Sequence, residues 1–365
     1  MSELRDIPDR PLRRGYTTGA CATACTKAAL LGLVTQQPVE KITIELPVGE
    51  VAAFYLTNFT IDKAQASCST IKDAGDDPDV THLATIQVTV ELNEEREIIF
   101  RRGEGVGIVT LPGLEIAIGE PAINPVPRRM METVCKKILS DYQLTAYGVT
   151  ITVGVKDGEK IAKRTLNSRL GILKGISILG TSGIVTPFSA SSYIASIEQG
   201  IDVAVANNAT TLLINSGARS EKMLKSIFPT IESYACIHYG NWIRETFEKI
   251  NSSPEIKTVY MGIMLGKAAK LAQGQLNTHS GKTSWDKKFI YELAIEAAYE
   301  EEIAKKVLML NMAGRLQEIF TFTSCEKFYQ LLLQKCYNHC IQLAPNIKLS
   351  IYLINAEGTH IPYSI

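Results

Sequence analysis

TTLLIN (210–215), YACIHY (234–239) and VYMGIML (259–265) are three short apolar segments from which the fold of the second half of the chain can be inferred. Each is followed by a segment with the spacing of an amphipathic helix. These helical segments are ARSEKMLKSIF (218–228), NWIRETFEKI (241–250) and GKAAKLAQG (266–274). Strands that are apolar throughout and alternate with helices are typical of a parallel sheet covered by helices on both faces.

A fourth apolar segment, KLSIYLIN (348–355), follows two longer helical patterns at 287–306 and 324–343. We therefore predict that residues 191–365 form a doubly wound α/β domain with an open sheet. Ligands of such sheets bind outside the carboxyl ends of the strands.

Short alternating strands separated by turns characterise the first half of the chain. KITIEL (41–46) and VAAFYL (51–56) flank the turn PVGE and predict a β-hairpin. ATIQVTVEL (84–92), NEER and EIIFRR (97–102) repeat this pattern, which predicts a second hairpin.

Two helical patterns interrupt these strands, one of small residues at 19–33 and one amphipathic at 127–142. The first half is therefore predicted to be an α+β domain that spans residues 1–190. We expect the boundary between the two domains near residues 186–200.

The composition is that of a globular protein, with 45% hydrophobic and 21% charged residues among 365. Lys+Arg and Asp+Glu both number 38, so no overall positive field attracts nucleic acid or an anionic membrane surface. No uninterrupted apolar run reaches the ~18 residues of a membrane-spanning helix, and MSELRDIPDRPLRR has no apolar core of a signal peptide. We expect a cytoplasmic protein without a nucleic-acid or membrane partner.

Motifs of several enzyme classes are absent from the sequence. The eight cysteines include no CxxC pair, which argues against a disulfide framework or a zinc ribbon, and GxSxG and HExxH do not occur. SGKT (280–283) lacks the preceding glycine of a phosphate loop, because Leu276 occupies that position. No metal site is predicted, and chemistry by positioning of ligands is favoured.

Near the amino terminus, RRGYTTGACATACTKAA (13–29) places Thr17 or Thr18 as the cap of a helix whose first turn carries little side-chain bulk. The backbone N–H groups there are suited to a carboxylate or phosphate, with Arg13 and Arg14 nearby. The alternative is a capped helix that packs closely against a sheet.

Two loops follow that combine acidic residues with glycine. IKDAGDDPDVTH (71–82) is either a plain acidic turn or a ligand-binding loop that includes Lys72, Asp73 and His82. GEGVGIVTLPG (103–113) places Glu104 among glycines, and it is either a glycine-rich hairpin or a loop that lets a ligand approach the backbone.

Basic residues mark the remaining candidate segments. Arg128 and Arg129 in INPVPRRMM (123–131) lie at the start of a predicted helix. Positive charge there is unfavourable in the field of the helix dipole, so these arginines require either solvent or an anionic partner. NSRLGILKGISILGTSGIVTP (167–187) is an extended stretch that serves as a linker or presents backbone to a ligand. In LGKAAKLAQGQLNTHSGKTSWD (265–286), Lys267 follows a predicted parallel strand directly.

Six of these segments, taken in order, resemble the CbiD family of cobalt-precorrin-5B C-1 methyltransferases in oxygen-independent cobalamin synthesis. They are RRGYTTGACATA, KDAGDDPDVTHLA, GEGVGIVTLPGL, GEPAINPVPRRM, LNSRLGILKGISILGTSGIVTP and KLAQGQLNTHSGK. INSGARSEKM (214–223) and HYGNWIRETF (238–247) depart from the text expected of family members. The resemblance implies two domains, of which the second is Rossmann-like.

The resemblance also implies the reaction, in which S-adenosylmethionine as cosubstrate methylates ring carbon 1 of cobalt-precorrin-5B to give cobalt-precorrin-6A. Cobalt enters only as part of the substrate. A non-catalytic tetrapyrrole-binding carrier or scaffold of the same pathway is the alternative function. Assembly of several copies is left open.

Three hypotheses assign residues to this reaction. In the first, backbone groups of the glycine-rich loops hold S-adenosylmethionine, and Glu104 or Asp73 binds its amino or ribose groups; the loop residues are Gly103, Glu104, Gly105, Gly107, Gly180, Thr181 and Gly183. In the second, basic and polar side chains bind the tetrapyrrole and its carboxylates; they are Arg14, Thr17, Thr18, Lys72, Arg128, Arg129, Lys267 and Asn277. In the third, His279 or His82 accepts a proton or faces cobalt, and Asp73 is a second catalytic candidate.

Overall fold

A computed structural model describes residues 10–279 and 284–365 of the chain. The SGKT segment at 280–283 therefore lies outside the described residues. The chain divides into two compact units between Ser189 and Ala190. We call residues 10–189 the amino-terminal unit and the described residues from 190 onward the carboxy-terminal unit.

The amino-terminal unit contains eleven strands and three α-helices among its described residues. The strands are β1 (Gly15–Tyr16), β2 (Lys41–Glu45), β3 (Val51–Tyr55), β4 (Thr57–Ile61), β5 (Gln65–Ile71), β6 (Thr85–Asn93), β7 (Ile98–Arg102), β8 (Ile108–Val109), β9 (Gly148–Val155), β10 (Ile172–Leu173) and β11 (Ile184–Val185). The helices are α1 (Thr18–Thr35), α2 (Pro125–Asp141) and α3 (Gly158–Ala162), and a 3-10 helix spans Asn167–Leu170.

A five-stranded sheet in the order β4-β5-β6-β9-β7 forms the centre of this unit. All neighbouring strands in it are antiparallel except β7 and β9, which are parallel. Three two-stranded pairs, β1 with β11, β2 with β3, and β8 with β10, complete the strand pairing. Helix α1 packs on β5 and β6 and against α2.

Small side chains allow α1 to pack on several elements at once. Fourteen of its 18 residues are buried, most of them Ala, Gly, Cys or Thr. By length and mean hydropathy alone this helix would also pass for a membrane span, but 78% of it is buried within its own unit. It is therefore placed as the core helix of a globular unit, and the predicted helix at 19–33 is confirmed.

The two predicted hairpins have different outcomes. β2 and β3 pair antiparallel from Lys41 opposite Tyr55 to Glu45 opposite Val51, so the first hairpin is confirmed. The second is wrong, because β6 and β7 do not pair with each other; β9 lies between them. β9 carries alternate Val and Ile side chains that are fully buried, and it satisfies the backbone groups of both neighbours.

The carboxy-terminal unit contains five strands and seven α-helices among its described residues. The strands are β12 (Thr211–Asn215), β13 (Cys236–His238), β14 (Thr258–Met264), β15 (Lys348–Ile354) and β16 (His360–Ser364). The helices are α4 (Ala190–Ala206), α5 (Ala218–Ile227), α6 (Ile243–Asn251), α7 (Leu265–Leu271), α8 (Lys287–Glu296), α9 (Glu301–Met309) and α10 (Lys327–Leu343), with 3-10 helices at Ser233–Ala235 and Ala313–Glu318.

The sheet of this unit has the order β13-β12-β14-β15-β16, and its strands are parallel except for β16. Side chains alternate between its faces, so Leu213 and Cys236 pack with α5 residue Leu224, whereas Leu212 and Ile214 belong to the larger core of the opposite face. The protein is thus a mixed α/β protein with parallel and antiparallel sheets.

One predicted helix of this unit is two helices. The apolar pattern at 287–306 predicts a continuous helix, but the structure has α8 and α9 with a break between them. Ala298 in the break has a φ of 68°, in the left-handed region that ends helices. Hydrophobic periodicity continues through the break because both helices pack on the same core.

The loop at 103–107 provides a test of how closely the backbone packs in the amino-terminal unit. Gly105 has a φ of 71°, and a Cβ there would overlap the carbonyl oxygen of Val155. We expect Gly105→Ala to destabilise the protein by at least about 3 kcal/mol, measured by urea unfolding, because strain and overlap add. Gly119→Ala is the matched control: its φ is 90° with nothing within 4 Å of the added Cβ, so we expect only about 1 kcal/mol. Equal losses of stability in the two variants would contradict the close approach of Gly105 to the Val155 carbonyl.

Candidate functional site

Three segments that the sequence marks separately meet at the amino end of α1. β1 pairs antiparallel with β11, and the Thr17 N–H donates to the Gly183 carbonyl at 3.0 Å. The Tyr16 N–H donates to the Asp73 carbonyl at 2.7 Å. Residues 13–18, 72–82 and 179–185 therefore form one cluster, which we call the α1-end cluster.

Arg13 joins its segment to the acidic loop. Its guanidinium forms a two-pronged ion pair with the Asp73 carboxylate, in which Nη2 lies 2.9 Å from Oδ1. Its backbone N–H donates to the Asp76 carboxylate at 2.8 Å, and its carbonyl accepts from the Asp76 N–H at 2.9 Å. A Cβ on Gly75 would overlap the Arg13 carbonyl oxygen, so this contact requires glycine.

The carboxylates of this loop differ in their surroundings. The hydrogen bond from Arg13 lowers the pKa of Asp73 to about 2, with further help from the Gly75 N–H. Burial alone would raise the pKa of Asp79, but Lys72 and Thr81 outweigh it and the pKa is lowered. Burial raises the pKa of Asp77, although the Phe188 N–H donates to it. Internal partners thus hold these charges in one loop.

Lys72 and His82 both have partners within the loop. Lys72 is 1% exposed, and its Nζ lies 2.7 Å from Asp79 Oδ2. The Ala74 N–H donates to His82 Nδ1 at 3.1 Å, so the neutral ring carries its proton on Nε2. The structure gives Lys72 a loop-holding contact, while the predicted roles of both residues toward ligands stay predictions.

Most donors at the first turn of α1 are already used. The Thr17 hydroxyl caps the helix by accepting from the Ala20 N–H at 3.1 Å, and the Gly19 N–H donates to the Leu179 carbonyl at 3.0 Å. Thr18 Oγ1 accepts from the Leu179 N–H at 2.9 Å. These contacts support the closely packed, capped helix, and they leave anion binding by Thr17 and Thr18 as a prediction.

Packing also explains the glycines of the loop at 103–107. The Gly103 N–H donates to Val153, and the Gly107 N–H donates to Ile176, at 2.8 and 2.9 Å. A Cβ on Gly103 or Gly107 would meet Val153 or Ile172 closely. Binding of a cofactor by Gly103, Glu104, Gly105 and Gly107 remains a prediction.

The glycines at 180–183 belong to the α1-end cluster. Gly180 has a φ of 129° and approaches the Thr17 side chain, and Gly183 has a φ of 79° and approaches Leu46. Both positions thus require glycine for backbone reasons. The cofactor contacts predicted for Gly180, Thr181 and Gly183 stay predictions.

The predicted carboxylate-binding arginines differ in their partners. Arg14 pairs with Glu50 at 3.1 and 3.3 Å. Arg128 donates to the carbonyls of Ile123 and Pro121 and pairs with Glu120 at 3.2 Å. Arg129 is exposed in the second turn of α2, and within the described part of the chain it forms no ion pair. Arg129 is therefore the best placed of these arginines to meet an anion.

In the carboxy-terminal unit, Lys267 lies in the first turn of α7, after β14. Its Nζ donates to the Gly240 carbonyl at 2.5 Å and to Asn241 Oδ1 at 2.7 Å. Burial, with a smaller effect of Lys270, lowers the pKa of Lys267 to about 8. The ammonium is thus bound by neutral oxygens.

Polar residues from the 277–279 segment lie beside it. The Thr278 N–H donates to the Asn241 carbonyl at 3.1 Å, and the Thr278 carbonyl accepts from Lys270 Nζ at 3.3 Å. The His279 N–H donates to Asn277 Oδ1 at 3.1 Å. Lys267 and Asn277 are therefore in one polar region of this unit, and the catalytic role of His279 stays a prediction.

Sequence reasoning missed Asn215, Asn241 and the pair formed by His238 with Glu221. Asn215 and His238 end β12 and β13 side by side, and His238 Nε2 lies 2.7 Å from Glu221 Oε2 on α5. A polar residue directly after an apolar strand was the available signal, since TTLLIN ends in Asn215. Across the described ranges, no group of three or more His, Cys, Asp or Glu is arranged to hold a metal.

The pKa of Asp73 gives a prediction for the α1-end cluster. We expect Arg13→Gln to raise this pKa from about 2 toward the ordinary ~4, as measured by carboxyl NMR titration. A lowered pKa in the folded state stabilises the protein above pH ~4, and this contribution is lost as the pH falls toward about 2. The variant is therefore less stable than the parent at neutral pH, and the difference shrinks over that window.

Arg14→Gln is the control for this prediction, because Arg14 pairs with Glu50 instead of Asp73. It should leave the Asp73 titration unchanged. An Asp73 pKa that stays near 2 in Arg13→Gln would show that the arginine is not its cause.

Comparisons with known proteins give the family. Residues 6–187 match the model of the CbiD family, and residues 277–364 match the model of the CbiD C-terminal domain. The chain is 42% identical over 349 residues to a cobalt-precorrin-5B C(1)-methyltransferase of Prosthecochloris aestuarii, covering 95% of this chain and 94% of the relative. The protein of that name from Brucella anthropi is 45% identical over 309 residues, covering 84% and 83%.

A solved structure is also similar in part. It is the 1.9 Å crystal structure of the cobalamin biosynthesis protein CbiD from Archaeoglobus fulgidus, with 27% identity, coverage of 73% of this chain and 82% of that chain, and a TM-score of 0.40. The family models and the curated relatives together extend over nearly the whole sequence. This chain therefore belongs to the CbiD family.

Proposed function

We propose that this protein is a cobalt-precorrin-5B C(1)-methyltransferase of cobalamin biosynthesis. The observation that carries the proposal is 42% identity to curated enzymes of that name along 95% of the chain. The substrate is a cobalt-containing tetrapyrrole, and cobalt belongs to the substrate. The methyl donor is S-adenosylmethionine, and the product is cobalt-precorrin-6A.

Methyl transfer from a sulfonium to a ring carbon is an in-line displacement. The ring carbon supplies the electron pair of the new C–C bond, and sulfur keeps the pair of the broken C–S bond. The protein's task is to align the two ligands and to exclude water, without a covalent intermediate. The absence of a nucleophile motif from the sequence agrees with this chemistry.

Arg129 and Lys267 are the proposed contacts for the carboxylates of ligands. Both cations lack an acidic partner within the described ranges, in contrast to Arg14 and Arg128. A guanidinium fork suits an acetate or propionate group. Glu104 remains the residue predicted from sequence to bind the amino or ribose groups of the donor, and His279, His82 and Asp73 remain catalytic candidates.

Finer features of the protein are part of the same proposal. The division into two compact units supports the proposal of two domains, and the sheet order of the second unit supports a Rossmann-like, doubly wound domain. A cytoplasmic location fits a biosynthetic enzyme, and the equal numbers of acidic and basic residues fit a protein without a nucleic-acid partner.

The proposed activity has a direct test. The purified protein is incubated with S-adenosylmethionine and cobalt-precorrin-5B without oxygen, and the tetrapyrrole is analysed by mass spectrometry. We expect a gain of one CH2 unit, with S-adenosylhomocysteine formed in equal amount. Tight tetrapyrrole binding with neither product would instead indicate a carrier.

Arg129→Gln tests the carboxylate contact. A charge-assisted hydrogen bond contributes about 1.5–3 kcal/mol, so we expect KM for the tetrapyrrole to rise about ten- to a hundredfold with little change in kcat. Lys136→Gln on the same helix is the control, since Lys136 is exposed and pairs with Glu132. An unchanged KM in Arg129→Gln would remove this residue from the substrate site.

A further inference from the structure

In the carboxy-terminal sheet, successive connections run to opposite sides of β12. β12 lies between β13 and β14; α5 leads from β12 to β13 on one side, and α6 leads from β13 back to β14 on the other. The carboxyl ends of β12 and β14 therefore flank a switch in strand order. Open α/β sheets bind ligands in the crevice at this position.

Lys267 links the segments that follow β14 and β13. It follows β14, yet its Nζ contacts Gly240 and Asn241, which follow β13. β12 lies between these two strands in the sheet, so the contact joins segments that leave the sheet on either side of β12. Its neighbour among charged groups is Lys270, and no carboxylate of residues 10–279 or 284–365 forms an ion pair with it. A partly buried cation of this kind favours an anionic ligand.

Asn215, at the end of the neighbouring strand β12, has an acceptor that lacks a donor within the described part of the chain. It is the last residue of β12 and is 0% exposed. Its Nδ2 donates to the Ile237 carbonyl at 3.3 Å, but its Oδ1 accepts from no other residue of the described ranges. A buried acceptor without a donor costs about 1–3 kcal/mol, so a donor from a ligand would repay it.

The backbone has open space around two glycines that follow these strands. A Cβ on Gly217, after β12, or on Gly266, after β14, would meet nothing within 4 Å. Gly217 also precedes α5, a helix of ten residues without a side-chain cap, whose amino end favours negative charge. The carboxyl edge of this sheet therefore presents a cation, a buried acceptor and open space at neighbouring strands.

The amino-acid end of a ligand carries a partner for each of these residues. Its α-carboxylate is an anion for Lys267, and its α-ammonium is a donor for Asn215. We propose that the carboxyl end of β12 binds the amino-acid end of S-adenosylmethionine, with Lys267 pairing with the carboxylate and Asn215 Oδ1 accepting from the ammonium. This inference rests on the proposed function. An acetate or propionate of the tetrapyrrole would also suit Lys267, but it carries no donor for Asn215.

Three probes that differ in the amino-acid end test the inference by calorimetry on the full-length protein. S-adenosylmethionine and S-adenosylhomocysteine carry this end, and 5′-methylthioadenosine lacks it. We expect Lys267→Gln to raise the Kd of the first two about ten- to a hundredfold and to leave that of 5′-methylthioadenosine unchanged. Asn215→Leu should show the same selectivity.

Lys270→Gln is the matched control, since Lys270 donates to the Thr278 carbonyl. This variant should bind all three probes as tightly as the parent does. Loss of all three probes alike in Lys267→Gln would contradict the inference. It would also be overturned if Lys267→Gln kept its affinity for S-adenosylmethionine but bound the tetrapyrrole more weakly, which would assign Lys267 to the substrate. Weakened S-adenosylmethionine binding only in Glu104→Gln would place the donor at the loop 103–107.

Measurements on the unmodified parent protein distinguish a failure of this inference from a failure of the proposed function. A parent that binds none of the three probes would overturn both. A parent that methylates the tetrapyrrole while Lys267→Gln and Asn215→Leu bind S-adenosylmethionine normally would leave the function standing and overturn the inference alone.

Discussion

The close packing of α1 is the constraint on which the arrangement of the amino-terminal unit depends. Its small side chains let the helix contact the central sheet and α2 at once, with 14 of 18 residues buried. At its amino end, a Cβ on Gly19 would meet the Pro127 ring at 2.6 Å, so helix α2 begins against the first turn of α1. The three segments of the α1-end cluster are consequently held where this helix starts.

Local patterns in the sequence predicted elements better than they predicted partners. Alternation identified β2 and β3 and also their pairing, because a four-residue turn leaves little choice. The same alternation identified β6 and β7 but gave the wrong neighbour, because β9, distant in sequence, lies between them. A period of two reports which face of a strand is buried and carries no information on which strand lies beside it.

The candidate site residues also differ in whether local sequence or the strand order reveals them. Glycine and acidic clusters at 72–82, 103–107 and 180–183 stood out in composition, and the structure gives most of them packing or loop-holding roles. Lys267 was found because it follows an apolar strand, which is a rule of topology. Asn215 and Asn241 escaped notice because a single asparagine has no compositional signal, and only the strand order shows that they share one edge with Lys267.

The α1-end cluster and the polar region around Lys267 differ in how far their polar groups are paired within the protein. In the α1-end cluster, Asp73 meets Arg13, and Asp79 meets Lys72 and Thr81, so each of these carboxylates is satisfied by the protein itself. Such internally paired charges hold a loop in one conformation and gain little from a further ligand. Within the described part of the chain, Lys267 has no anionic partner and Asn215 Oδ1 has no donor. Incomplete polar groups that the fold buries at a strand end are the ones whose free energy a ligand can lower, and for this reason the strand end of β12 is a stronger binding candidate than the more conspicuous acidic loop.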